Sequence, residues 1–189
     1  LLKVINMDTE RNILKLLEGK SSTKQEVYRI TKEVFADIQE ILTAKASRLN
    51  MAISDPDVDI SYEESGDFDA KFKFSGDTLL FHMHTNVFDF QSSHQINKTA
   101  YVKEDTMRSF CGIINIYNFL SDSLKYNRFN DSGFLIARIF INKESHFFVE
   151  GDKELGFLFN DFMNQKINKE HIENIINVAM QYALNFDLE

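Results

Sequence analysis

A chain of 189 residues, 43% of them hydrophobic, is long enough for one domain with a sizeable core and too apolar to be disordered. Only 7 Gly and 1 Pro accompany 18 Phe, which argues against a turn-dense sandwich or barrel and makes Phe the main large core filler. The formal net charge of -8, from 21 basic and 29 acidic residues, argues against nucleic acid and against an anionic membrane surface as partners, because both are bound by clustered Lys and Arg.

Residues 1–19 predict a short helix that Asp8 or Thr9 can cap. Ile13, Leu14, Leu16 and Leu17 form its apolar stripe, Gly19 ends it, and Lys20 to Ser22 make a polar hinge. Thr23-Lys24-Gln25-Glu26 reads as a capping box that opens a second helix. Val27, Ile30, Val34, Ile38, Ile41 and Leu42 then recur at three- and four-residue steps, and the stripe continues through Ala46 and Leu49 before stopping ahead of Asp55-Pro56.

The period then changes from 3.6 to 2. Val58, Ile60 and Tyr62 alternate with polar residues, Ser65-Gly66-Asp67 turns, and Phe68, Ala70, Phe72 and Phe74 alternate again. Gly76-Asp77 turns once more into a long strand from about Thr78 to Phe90, which completes an antiparallel meander with one wet face. Residues 91–104 form an insert loop, with Thr99 to Val102 as a short edge strand.

Asp105 is placed to cap a middle helix running to about Lys125, with Met107, Phe110, Ile114, Tyr117 and Leu120 or Leu124 on its apolar face. Gly112 counts against that helix by about 1 kcal/mol. Asn130 to Gly133 is a turn, and Phe134 to Ile141 is a central strand covered on both faces. Asn142 to Ser145 turns into His146 to Glu150, its hairpin partner. Residues 154–164 are helical, and Asn168 caps a last helix with Ile172, Ile175, Ile176, Ala179 and Ala183 inward.

The expected class is therefore α+β: an antiparallel sheet, made of a three-stranded meander plus a hairpin, packed with N-terminal, middle and C-terminal helices in the order α-α-β-β-β-(β)-α-β-β-α-α. No linker or repeat divides residues 1–189, so one domain is expected, with residues 1–22 as a helical appendage. A single cysteine, Cys111, permits no intrachain disulfide and fits a reducing, cytoplasmic compartment. No apolar run nears the ~20 residues that span a bilayer, and no signal-peptide pattern is present. Leu1 in place of Met leads us to expect a fragment of a longer chain.

One stretch has a family likeness. Ile113-Ile114-Asn115-Ile116-Tyr117-Asn118 on the middle helix is followed by Lys125-Tyr126-Asn127-Arg128-Phe129 and then by Asn130-Asp131-Ser132-Gly133 entering a strand. With the element order over residues 24–186, this resembles the type III secretion chaperone-like fold, which includes bacterial proteins described as sensory transduction regulators. The resemblance implies a small, acidic, often dimeric protein that binds other proteins and catalyses nothing. The insert at 91–104 departs from the secretion chaperones proper.

Three constellations carry possible chemistry. On one strand His82 and His84 share a face, and Asp69 on the neighbouring strand could join them around zinc or iron. Pro56-Asp57 followed by Asp69-Ala70-Lys71 matches the short Pro-Asp…Asp-x-Lys nuclease pattern, in which Asp57 and Asp69 would hold a divalent metal and Lys71 would help activate water. Phe147, Phe148, Phe157 and Phe159, with Leu49 at the far end of the long helix, form a candidate partner surface. No Gly-rich phosphate loop, nucleophile elbow, His-Glu-x-x-His or Cys-x-x-Cys occurs, so no cofactor is expected. These observations favour a non-enzymatic protein-binding domain, chaperone-like or regulatory, working as a homodimer on another protein. The alternative is a metal-dependent enzyme, most specifically a nuclease.

Overall fold

The computed structural model describes residues 2–121 and 133–186. Helix α1 (Leu2–Leu16) does not end at Gly19. It runs through one wide π-helical turn, Leu17–Ser21, straight into α2 (Ser22–Ala52). No proline interrupts the path, and the propensity penalty of Gly19 is only about 1 kcal/mol, so the helix tolerates it. The capping box is therefore not a helix start. Thr23 is a buried residue inside the helix, and Ser21 makes no side-chain cap. The continuous helix spans about 75 Å at 1.5 Å per residue. Its α2 part lays Val27, Thr31, Val34, Phe35, Ile38 and Leu42 on the sheet, while nothing in residues 7–22 is buried.

Among the described residues, seven strands form one sheet: β1 (Ile60–Glu64), β2 (Asp69–Phe74), β3 (Asp77–Met83), β4 (Phe88–Asp89), β5 (Phe110–Leu120), β6 (Phe134–Asn142) and β7 (Phe147–Gly151). Their order is β1-β2-β3-β5-β6-β7, antiparallel throughout, with β4 beside the start of β5. The expected long strand from Thr78 to Phe90 is thus two short ones on the same side of β5, interrupted at residues 84–87.

The middle helix is the main correction. Asp105 does cap, but it caps a single 3-10 turn, Thr106–Ser109, and the chain then enters β5. Phe110, Ile114 and Tyr117 satisfy a helical period, yet Ile113, Ile114 and Ile116 are β-branched, and the strand is apolar on both faces because it is covered on both. Gly112 lies where β5 passes beneath α2, and an added Cβ there would overlap the Thr31 side chain. Asn115 and Asn118 of the family-like motif, three apart on a strand, point to opposite faces. The expected helix end near Lys125, the Lys125–Phe129 stretch and most of the Asn130–Gly133 turn lie outside the described residues.

The insert is not a plain loop. It folds as a 3-10 turn (Gln95–Lys98) and a short helix α3 (Ala100–Glu104) in place of the expected edge strand. Thr99 caps α3 by accepting the Val102 N–H. At the other end, α4 (Glu154–Leu158) is shorter than expected, and α5 (Lys169–Leu184) begins as expected, with Asn168 Oδ1 accepting the His171 N–H at 2.8 Å.

The inner sheet face, including Phe72, Leu79, Phe81, Ile114 and Ile139, packs on α2 and α5 as the main core. Lys45 crosses between those helices, donating to Asn177 Oδ1 at 2.7 Å with Glu173 at 3.5 Å, and burial pushes its ammonium below the ordinary value. A smaller core of Ile96, Val102, Cys111, Phe140, Phe148 and Phe162 lies on the outer face under the insert. Among the described residues no helix is long and apolar enough to cross a membrane.

Candidate functional site

The outer sheet face carries a polar row that crosses five strands. Asp69 stands opposite His82, His82 opposite Asn115, Asn115 opposite Arg138, and Arg138 opposite Glu150. Directly paired residues in antiparallel strands share a face, so the five side chains form one line at right angles to the strands. On one side of the row the insert covers the outer face over Cys111, Phe140 and Phe148. His82 Nδ1 lies 2.7 Å from Asp69 Oδ1, so Nδ1 carries the proton and the carboxylate fixes the ring. Below the row, Lys71 pairs with Glu63 at 3.5 Å and Lys73 with Asp59 at 3.1 Å, so the cations of β2 are already neutralised.

The predicted metal sets are not assembled. His84 shares a face with His82, but their ring centroids are 6.4 Å apart, and His84 packs on Phe88 while its Nδ1 accepts the Asn86 N–H. Asp57 is exposed in the turn before β1, where its N–H donates to Asp55 Oδ1 at 3.0 Å. Asp69 is committed to His82, and Lys71 to Glu63. Among the described residues, no three His, Cys, Asp or Glu side chains gather as a metal site. Cys111 is wholly buried on β5, and burial pushes its thiol well above the ordinary range.

The insert is held to the β6–β7 hairpin by a polar network. Arg108 donates to Glu144 at 2.9 Å, to Glu104 at 2.6 Å and to the Tyr101 carbonyl at 2.9 Å, and its guanidinium lies 4.4 Å over the Tyr101 ring. The Tyr101 hydroxyl donates to Glu144 at 2.8 Å and accepts from Asn142 Nδ2 at 3.0 Å. Its ring stacks 4.7 Å from that of His146, whose Nδ1–H donates to the Phe162 carbonyl at 2.8 Å. Burial drives the Tyr101 hydroxyl upward in pKa, so it stays a neutral donor.

At the end of the polar row, this anchored insert leaves a cleft of about 780 Å³ against β7 and α4. Ile96, Phe148 and Phe162 form its apolar wall, and His94 and Glu150 stand at its polar side. His94 Nδ1 accepts the Ile96 N–H, so in the neutral ring Nε2 bears the hydrogen, 3.4 Å from Glu150 Oε1. The His94 ring also packs on Phe90, tilted by 30° with ring centroids 4.4 Å apart.

The candidate partner surface is divided by the fold. Phe147 and Phe159 are buried in the main core and Phe148 at the cleft wall, while Phe157 alone of the four reaches solvent, at 76% exposure. Leu49 packs partly buried against the main core instead of extending beyond it. The larger exposed apolar stripe lies on α1 and the π turn, where Ile13, Leu14, Leu16 and Leu17 are 51%, 52%, 60% and 52% exposed.

Sequence reasoning found Asp69 and His82 but missed Asn115, Arg138, Glu150 and the Tyr101–Arg108–Glu144 network. The first group needed β5 to be read as a strand, and the second joins residues 36 and 43 positions apart. No family model, no curated protein and no solved structure matches this chain.

Proposed function

We propose that this chain is a non-enzymatic protein-binding domain, chaperone-like or regulatory, that works in the cytoplasm as a homodimer joined through its N-terminal helix. The observation that carries this reading is the exposed stripe on α1 and the π turn. Ile13 and Leu17 stand one helical turn apart, Met7 and Leu14 two turns apart, and every one is more than half exposed. No residue between 7 and 22 is buried, so this stretch of the helix adds no side chain to the core of the described residues. Most helix stability in proteins comes from packing an apolar face, and burying each large apolar side chain is worth about 1.5–3 kcal/mol. A second copy offering the same stripe supplies that burial symmetrically. The acidic composition supports the same reading.

Size-exclusion chromatography with light scattering tests it. The expected mass is about twice the 22.0 kDa of one chain. A Leu14→Lys/Leu17→Lys double variant is expected to return a single-chain mass with the melting temperature of the body unchanged. A wild-type mass of 22.0 kDa held across about a hundredfold dilution would overturn the dimer.

A further inference from the structure

We propose that the free edge of β1 at Tyr62–Glu64 is a docking site for an extended, cationic segment of a partner protein. The segment adds antiparallel to β1, with Lys or Arg side chains on the outer face and apolar, β-branched side chains on the inner face. This rests on the reading of the chain as a protein-binding domain, but it uses a surface other than the N-terminal helix.

The backbone supplies the first support. β1 ends the strand order, with β2 on one side of it only. Ser75 N–H donates to the Asp59 carbonyl at 2.9 Å and Ser65 N–H to the Asp69 carbonyl at 3.1 Å, and the register between these pairs is unbroken. Hydrogen-bonded pairs alternate with open ones in an antiparallel ladder, so Ser61 and Glu63 bond inward to β2, while Ile60, Tyr62 and Glu64 turn their N–H and C=O groups to the outer edge. At Ile60 that edge is already taken in the manner of an added strand. Ile60 N–H donates to Asn50 Oδ1 at 3.3 Å, and Asn50 Nδ2 donates back to the Ile60 carbonyl, so one side-chain carboxamide stands in for a peptide group. The main-chain groups of Tyr62 and Glu64 take no hydrogen bond among the described residues. The other end of the sheet is closed by the chain itself. On β7, Phe147 N–H donates to Gln165 and Val149 N–H to Phe159, and an added Cβ on Gly156 would overlap the Gly151 carbonyl.

Side chains choose the occupant. Residues 49–70 contain no Lys, Arg or His. Asp59, Glu63 and Asp69 pair with Lys73, Lys71 and His82, but Asp55, Asp57, Glu64 and Asp67 have no cationic partner among the described residues. A second copy of this edge, paired Tyr62 to Glu64, would set Glu63 directly against its own counterpart, and opposed like charges destabilise a strand pair. A strand with Lys or Arg opposite Glu63 gains instead. Residues opposite Tyr62 and Glu64 share their inner face, where the half-buried Tyr62 ring, packed on the main core, offers an apolar contact. Alternating cationic and β-branched residues therefore fit both faces of the edge.

The test uses the full chain and fluorescein-labelled Gly-Lys-Val-Lys-Val-Lys-Gly, read by fluorescence polarisation. Antiparallel pairing of the valines with Tyr62 and Glu64 aims the valine N–H groups at β1 and the lysine N–H groups away from it. Saturable binding with a Kd below about 1 mM is expected. N-methylating both valine amides should weaken it at least about fivefold, and N-methylating two lysine amides by less than about twofold. Replacing the lysines by glutamates should weaken binding at least about tenfold. On the protein, Glu64→Pro removes an outward N–H and no bond to β2, and should weaken binding at least about fivefold relative to Glu64→Gln. If Glu64→Pro does not fold, the two methylated peptides on the wild-type chain decide the matter alone. No saturable signal below about 1 mM, equal binding of the two methylated peptides, or unchanged affinity in a folded Glu64→Pro would each overturn the proposal. So would a change in the solution mass of Glu64→Pro without peptide, because the edge would then belong to a second copy. The peptide assay reads β1 and the mass of the Leu14→Lys/Leu17→Lys variant reads the N-terminal helix, so either proposal can fail alone.

Discussion

Gly112 on β5 and Thr31 on α2 lie so close that a methyl group on Gly112 would overlap the Thr31 side chain. Thr31 has little freedom to move, because it is buried and its hydroxyl donates to the Val27 carbonyl at 2.7 Å. This contact sets how near the long helix sits to the sheet.

Gly112→Ala is therefore expected to destabilise by about 1–3 kcal/mol, through overpacking. On an exposed helix the same change would stabilise by about 1 kcal/mol, so the sign alone separates the two structures for this segment. Urea denaturation measures it. Adding Thr31→Ala should recover part of the loss, giving a double-mutant coupling of about 1 kcal/mol, and strict additivity would count against the contact.

Neighbouring residues on β2 should respond very differently. Phe72 is fully buried on the inner face, so Phe72→Ala should lose about 3–5 kcal/mol. Lys73 points outward and makes one surface pair with Asp59, so Lys73→Ala should change stability by under about 0.5 kcal/mol. Equal midpoint shifts in matched urea melts would mean the register is wrong.

Glu144 should contribute a pH-dependent part of the stability. Burial acts to raise its pKa, but hydrogen bonds from Arg108 and Tyr101 outweigh this and hold it below the ordinary 4.5. The folded chain thus binds fewer protons here than the unfolded chain, and the stabilisation is present above pH 4.5 and lost as pH falls through the lowered folded value. Asp77, raised by burial, acts in the opposite sense over the same range, so the comparison must be with a variant. Glu144→Gln should be less stable than wild type by about 1–2 kcal/mol at neutral pH, with the gap closing as pH falls through the lowered folded value. Thermal melts across that range check it, and a constant gap would remove the ionised carboxylate as the cause.

Leu49→Glu should act on stability and not on assembly. Its side chain packs against the main core near the end of α2, so a buried carboxylate there should lose about 1–3 kcal/mol. The mass in solution should stay as in wild type, because the proposed dimer contact lies at residues 7–17. A variant that melts as wild type but changes mass would move the interface to this end of the helix.

Much of the fold was legible in the chain itself. Period-2 alternation placed β1 and β2 with their inward faces, and the stripes of α2 and α5 named Val27, Val34, Ile38, Leu42 and Ile172 to Ala183 correctly as core. These elements bury one face and leave the other wet, so local pattern alone reports which side is which. β5 bears no such contrast. It is covered on both faces, its apolar residues fit either period, and only pairing with β3 and β6 makes it a strand. The continuity of α1 with α2 depended on whether anything would bend the chain at Gly19, where among the described residues nothing lies within 4 Å of an added Cβ. The polar row and the cleft exist because β3, β5, β6 and β7 align, which brings Asp69, His82, Arg138 and Glu150 onto one line across the sheet. Sequence patterning determined which faces are apolar, a property of neighbours three or four residues apart. Which distant side chains share a surface was decided by strand order and register, which depend on pairing between residues far apart in the chain.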